Sequence, residues 1–120
     1  MKEENVVAGK SFRFAVRIIN LYKFLCIERK EFVLSKQLLR SGTSIGALIR
    51  ESEHAQSKAD FINKVNIALK EANETEYWLL LLKETDYLTD SEFDSIIEES
   101  RELIRLTASI VKTTKLNLEN

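Results

Sequence analysis

The sequence predicts an all-α protein, with one domain over residues 1–120 folded as an antiparallel up-down four-helix bundle. Three observations support this prediction. The chain has no proline and only three glycines, which disfavours folds built on many tight turns. Apolar residues recur at steps of three and four along four stretches, as on the buried side of a helix. The connections between these stretches are short, and short connections join antiparallel neighbours in a bundle.

The four helices are predicted at about residues 5–28, 33–53, 57–85 and 89–114. The first has an apolar stripe of Phe12, Ala15, Ile18, Ile19, Tyr22 and Leu25. The second has a stripe of Leu34, Leu38, Leu39, Ile45 and Ile49. Residues 28–31 between them are all charged, and we expect them to form a solvated connection.

Capping boxes are expected at the starts of the third and fourth helices. Ser57 is followed three residues later by Asp60, and Thr89 is followed by Glu92. In this pattern the hydroxyl accepts a hydrogen bond from a backbone amide of the first helical turn. Each helix then carries its own apolar stripe, so all four should contribute to one core.

The sequence argues against membrane and secreted proteins and predicts a cytoplasmic one. The longest apolar run, Trp78 to Leu82, is far shorter than a membrane-spanning helix. The N-terminus lacks an apolar stretch of signal-peptide length. Cys26 is the only cysteine, so no internal disulfide can form, and we interpret it as a small buried residue.

Charge is distributed unevenly along the chain. Residues 1–54 contain ten lysines and arginines against six acidic residues, whereas residues 55–120 contain eight against thirteen, giving a net charge of −1. One interpretation is a molecule with a basic face. The other is that the two halves attract each other, or attract a second copy.

Small residues are concentrated in the second helix. Gly42 and Gly46 are four residues apart, with Ser41, Ser44 and Ala47 beside them. Small side chains at this spacing flatten one helix face, so that another helix can approach closely. We therefore predict a helix-packing motif; a pocket for a ligand is the alternative.

The chain has more apolar residues than one bundle needs to form its core. Residues 77–82 are apolar around the whole helix, which indicates burial on all sides or contact with another chain. Phe14 and Phe24 lie away from the main stripe of the first helix. The predicted subunit contacts are Phe14, Phe24, Tyr77, Trp78 and Leu81. The alternative is that the chain termini cover them.

No enzyme, metal site, cofactor or small-molecule substrate is expected. His54 is the only histidine, which excludes the paired-histidine motifs of di-iron bundles and helical zinc proteases. Lys70 and Glu74 read as an ordinary helical ion pair rather than an acid–base pair.

Nucleic-acid binding is a weaker prediction. Lys10, Arg13 and Arg17 share one face of the first helix, and Lys36 and Arg40 share a face of the second. Phosphate contacts from such cations need no base-reading motif. The alternative is a solubilising surface paired with acidic residues of the later helices. Arg40 has a further alternative role, as the ion-pair partner of a glutamate in the third helix.

Three segments resemble a known family: residues 38–47 (LLRSGTSIGA), 58–61 (KADF) and 68–78 (ALKEANETEYW). They are similar to the four-helix bundle proteins related to the 23S rRNA intervening-sequence protein. The resemblance implies a cytoplasmic bundle without known enzymatic activity. It also implies similarity to the accessory variability protein of diversity-generating retroelements, a homopentamer that works with a reverse transcriptase and nucleic acid. Leu48 departs from the family pattern, which often has asparagine there.

The residues predict a non-enzymatic protein that self-associates and acts as a scaffold or adaptor, and the resemblance implies that the assembly is a ring, expected to be a pentamer. The first hypothesis is an adaptor that binds RNA or a nucleic-acid enzyme through a basic surface. The alternative is a protein–protein scaffold without nucleic acid, and an uncharacterised enzyme is the remote third hypothesis.

Overall fold

The computed structural model of the protein describes the backbone of residues 2–119 and the side chains of residues 5–118. Its four helices are α1 (Lys2–Glu28), α2 (Leu34–Ser52), α3 (Lys58–Glu84) and α4 (Asp90–Glu119). Each helix packs on two others, α1 and α3 both lying against α2 and α4. The molecule is a rod of 50 × 21 × 20 Å. The predicted all-α up-down bundle is confirmed.

The predicted helix bounds are close for the middle helices and short for the outer ones. Bounds for α2 and α3 agree to within one residue, whereas α1 begins at Lys2 and α4 continues to Glu119. The segment after residue 114 contains neither glycine nor proline, so nothing in its sequence ends the helix. No helix in the described part of the chain has the length and apolar composition that crossing a membrane requires.

Both predicted N-caps are present. The Ser57 hydroxyl accepts from the Asp60 amide at 3.1 Å, while the Asp60 carboxylate accepts from the backbone of Gln56 at 3.1 Å. At α4 the exchange is reciprocal: Thr89 Oγ1 accepts from the Glu92 amide at 3.1 Å, and Glu92 Oε1 accepts from the Thr89 amide at 2.8 Å. These bonds satisfy amide groups that have no partner within the helix.

The α1–α2 connection corrects one expectation, because Glu31 is not solvated but only 6% exposed. Its carboxylate accepts hydrogen bonds from the amides of Val33, Leu34 and Ser35, at 3.1, 2.9 and 2.6 Å. The N-cap residue Val33 has no side chain that can accept a hydrogen bond, so Glu31 supplies the cap of α2.

The core-facing side of α1 also differs from the prediction. The buried residues of α1 are Val7, Ser11, Phe14, Ile18 and Leu25. Phe12 is 65% exposed and Ile19 39% exposed, although both were expected in the core. The prediction of Phe14 as a subunit contact is wrong, because its side chain is completely buried within its own chain. Cys26 is only half-buried, not fully as expected.

The small residues of α2 contact different helices. A Cβ atom on Gly42 would lie 2.8 Å from Ile18 Cγ1, and one on Gly46 would lie 3.3 Å from the carbonyl oxygen of Ser11. These two glycines therefore lie where α2 approaches α1 closely. Ser41 is buried on the α3 side, where its hydroxyl is 2.9 Å from that of Thr75.

Candidate functional site

The outer side of α1 carries a stripe of exposed apolar residues. Phe12, Val16, Ile19 and Ile27 are 65, 45, 39 and 63% exposed. Their spacing of four, three and eight residues places them on one side of the helix, away from Phe14 and the core. Apolar residues exposed singly are normal, but a continuous stripe marks an interaction surface.

The neighbouring part of α2 extends this apolar surface. A cleft of about 400 Å³ runs between the two helices. Its lining is mostly apolar or small: Ala8, Phe12, Ala15, Thr43, Gly46 and Ala47, with Arg50 and Glu53 at the α2 end. Gly46, where α2 approaches α1 closely, is part of this lining.

Exposed cations lie on the same two helices as the stripe and the cleft. Residues 5–27 of α1 contain four lysines and arginines and no acidic residue. Lys23 lies between Ile19 and Ile27 along the helix, and Lys36 and Arg50 are exposed on α2. We call these three cations, together with Phe12, Val16, Ile19 and Ile27, the α1/α2 outer face.

The cations predicted on α1 do come together, but beside α4. Lys10, Arg13 and Arg17 line one depression with Glu99 and Glu102. Lys10 Nζ lies 2.9 Å from Glu102 Oε2. Arg17 pairs with the Glu99 carboxylate and also donates to the backbone of Ser95 at 2.9 Å. Two of the three charges are thus neutralised within the chain.

Lys36 and Arg40 lie elsewhere, exposed on α2. The five predicted cations therefore do not form a single patch. Burial and the neighbouring Glu74 raise the pKa of Glu71, and the positive charges of Arg40 and Lys70 partly offset that rise. Among the described residues, no glutamate of α3 forms an ion pair with Arg40, so its role as an ion-pair partner stays a prediction.

The predicted subunit contacts near the end of α3 are mostly covered by their own chain. Trp78 and Leu81 are partly buried, and the Trp78 indole N–H donates to Glu74 Oε1 at 3.2 Å. Tyr77 is 55% exposed and makes an edge-type ring contact with Trp78, with 5.3 Å between ring centroids. Of these three residues, Tyr77 alone is largely exposed to solvent.

Phe24 lies on α1, in a groove facing α4. It is half-buried, and the guanidinium of Arg29 lies 4.8 Å from the centre of its ring. Arg29 is held there by an ion pair of 2.9 Å with Glu92 of α4. Phe24 is therefore already in contact with a cation of its own chain.

The main apolar surface was missed by the sequence prediction, which placed Phe12 and Ile19 in the core. The available signal was that α1 has two apolar stripes, one through Phe14 and Ile18 and the other through Phe12 and Ile19. One side of a helix is enough to contact the core of a bundle, so a second stripe indicates a surface left for another partner.

Metal-binding side chains are dispersed in this bundle. Among the side chains that the structure describes, no group of three or more His, Cys, Asp or Glu residues could hold a metal ion. His54 is exposed after the end of α2.

The fold places this chain in the class of small all-α four-helix bundle proteins. The family model of the 23S rRNA-intervening sequence protein matches residues 3–109, and the chain belongs to that family. Leu48, the position at which the resemblance implies a departure from the family, is partly buried against the core.

A solved structure extends this similarity to three dimensions. It is the crystal structure of a protein of unknown function from the S23 ribosomal protein family of Bacteroides thetaiotaomicron, with a TM-score of 0.90. The two chains are 66% identical, and the match covers 92% of this chain and 98% of that one. No curated protein matches the chain.

Proposed function

We propose that this protein is a non-enzymatic helical scaffold that works as a homo-oligomeric ring of five copies. The observation that supports self-association is the exposed apolar stripe of Phe12, Val16, Ile19 and Ile27 along α1. A ring of rigid bundles would present the same surfaces several times to a partner. The number five comes from the resemblance to the accessory variability protein, and self-association from the exposed stripe.

Burial of this stripe supplies a driving force for association. Complete burial of one large apolar side chain stabilises by about 1.5–3 kcal/mol. The four side chains are each about half exposed, so a second chain would remove a substantial apolar area from water. The free energy gained by this burial must exceed the free-energy cost of the translational and rotational freedom that is lost on association. A continuous stripe can therefore drive association where one exposed residue cannot.

Light scattering of the purified protein tests the proposal. At micromolar concentration we expect a mass several times that of one chain. The variant Phe12→Ser with Ile19→Ser should run as a smaller folded species, with its helical circular dichroism unchanged because both residues are exposed.

The matched control is Leu116→Ser with Leu118→Ser, which removes apolar side chains of similar exposure from the end of α4. This control should assemble as the wild type does. A wild-type protein that remains a single chain at micromolar concentration would contradict the proposal.

An adaptor for RNA or a nucleic-acid enzyme is the second candidate, favoured by the exposure of Arg13, Lys36 and Arg40. Phosphate contacts by such residues give binding that weakens steeply with salt. In a mobility-shift titration with structured RNA, Lys36→Glu with Arg40→Glu should abolish the shift. Absence of any shift at low salt would leave the protein–protein scaffold alone.

A further inference from the structure

A second surface of the molecule has the opposite charge to the α1/α2 outer face. Residues 84–99, from the end of α3 into α4, contain seven acidic residues and no lysine or arginine. Glu92 and Glu99 are partly buried and pair with Arg29 and Arg17 of the same chain. The others remain exposed: Glu84, Asp86, Asp90, Asp94 and Glu98.

An exposed aromatic residue lies at the same height as these acids. Arg101 of α4 pairs with Glu76 of α3 at 2.7 Å and lies 3.8 Å from Glu98, which sets the register of the two helices. Tyr77, 55% exposed, follows Glu76 in α3, so the two contacts of Arg101 place it near Glu98 along the rod. We call Tyr77, Glu84, Asp94 and Glu98 the acidic α3/α4 face.

The two faces belong to opposite layers of the bundle. Since α1 and α3 each pack between α2 and α4, the α1–α2 layer and the α3–α4 layer form opposite sides of the rod. Cations of α1 reach acids of α4 across one side of the rod, as in the ion pair of Lys10 with Glu102. Among the described residues, however, no ion pair within one chain joins the cations of the α1/α2 outer face to the acids of the acidic α3/α4 face. A contact between two chains can bring these two sets of charges together.

We infer that the α1/α2 outer face of one copy packs against the acidic α3/α4 face of the next copy. The inference rests on the proposed self-association and names the two surfaces that make the contact. Lys23, Lys36 and Arg50 would oppose Glu84, Asp94 and Glu98, with the apolar stripe of α1 against Tyr77. Complementary charge of this kind selects the partner surface and sets its orientation.

The charges also determine the symmetry of the contact. A two-fold contact of the α1/α2 outer face with itself would place cations against cations, which is unfavourable. When the α1/α2 outer face of one copy binds the acidic α3/α4 face of another, the pair still has one unoccupied face of each kind. Such head-to-tail contacts produce a closed ring when the rotation closes, as the proposed ring requires.

Charge reversal tests the inference. The cationic-face variant is Lys23→Glu with Lys36→Glu, and the acidic-face variant is Asp94→Lys with Glu98→Lys; all four residues are exposed. We expect each variant alone to dissociate at protein concentrations at least about tenfold higher than the wild type. Mixed in equal amounts, they should associate again, because a contact between the two variants joins opposite charges. A ring of five copies cannot alternate throughout, so we expect pairs and longer alternating assemblies, with at least one weakened contact in any closed ring of five.

The matched control is Lys58→Glu with Lys112→Glu, which reverses two exposed cations outside both faces and should assemble as the wild type does. Circular dichroism establishes that each variant is folded, and analytical ultracentrifugation measures its mass.

Three results would overturn the inference. If both variants assemble like the wild type, the contact lies elsewhere, although the proposed scaffold stands. If only the cationic-face variant dissociates, or if the mixture stays dissociated, the two faces do not bind each other. If the wild type is a single chain whose α1/α2 outer face binds structured RNA, the inference and the proposed self-association fail together.

Discussion

Helix α1 contacts its two neighbours by different means. Towards α2 the contact depends on shape, because Gly42 leaves room for the fully buried side chain of Ile18. A Cβ atom at Gly42 would lie within 2.8, 2.9 and 3.1 Å of three Ile18 carbons. Gly46 similarly admits the backbone of Ser11. Protein interiors are close-packed, so such a contact has little room for adjustment.

Towards α4 the contact depends on charge. Ion pairs occur at three heights along the two helices: Lys10 with Glu102, Arg17 with Glu99, and Arg29 with Glu92. Their side chains are between 29 and 43% exposed. Water and salt can therefore reach every pair, and each should contribute modestly.

The difference indicates which substitutions each side of α1 tolerates. The α1–α2 contact should be sensitive to the addition of one carbon atom and indifferent to ionic strength. The α1–α4 contact should tolerate changes in side-chain size and respond to ionic strength. The two exposed faces proposed to join copies combine apolar contact, through the stripe of α1, with attraction between opposite charges.

The largest effect is expected at Gly42. Gly42→Ala should lower the free energy of unfolding by about 1–3 kcal/mol, because the new methyl group overlaps Ile18 in a packed core. The higher helix propensity of alanine, worth up to about 1 kcal/mol, offsets only part of this loss. Unfolding in urea measures the difference.

Gly9→Ala is the control for this comparison, since a Cβ atom there would meet only the flexible end of Arg13, at 3.3 Å. That variant should be as stable as the wild type or slightly more stable. Equal stability of the two alanine variants would show that the α1–α2 contact can relax around an added methyl group.

The architecture was predictable because its signals are local. Four periodic stretches, short connections and the hydroxyl–acid pairs at Ser57 and Thr89 each depend on residues a few positions apart. The choice between the two stripes of α1 is not local. Phe12 and Phe14 are both large, apolar and helically spaced, and only the positions of α2 and α4 decide that Phe14 is buried.

The candidate surfaces were harder to predict for the same reason. Lys10 and Arg17 were correctly placed on one helix face, but their partners Glu102 and Glu99 are more than 80 residues away in sequence. Glu31 belongs to a run of four charged residues, and the sequence pattern does not distinguish it from its neighbours. Its burial follows from the direction in which the chain enters α2. Helical spacing carries no information on either point.

A smaller effect is expected at Glu31, where the α1–α2 connection depends on a carboxylate. Burial alone would raise the pKa of Glu31, but hydrogen bonds from the amides of Leu34, Ser35 and Val33 lower it below its usual value. Its contribution is therefore fully present above the unfolded-state pKa and is lost as the pH falls through the folded-state pKa. Glu31→Gln should cost about 0.5–2 kcal/mol at neutral pH, as for loss of a helix cap.

The measurement is the difference in unfolding free energy between wild type and Glu31→Gln, in urea at about pH 7 and about pH 3. This difference should shrink at the lower pH, where the wild-type carboxylate is being protonated. The lowered pKa of Glu92 affects both proteins equally and cancels. Exposed Glu53→Gln is the control, and a difference that grew on acidification would exclude a charged cap at Glu31.

The smallest effect is expected at the α1–α4 contact. Glu102→Gln removes the partner of Lys10, and because these side chains are 37 and 39% exposed, we expect a loss of at most about 1 kcal/mol. That loss should largely disappear in about 1 M salt, where charges are screened within about 3 Å, whereas the loss in Gly42→Ala should persist. If Glu102→Gln instead cost as much as Gly42→Ala, independently of salt, the α1–α4 contact would depend on packing as the α1–α2 contact does.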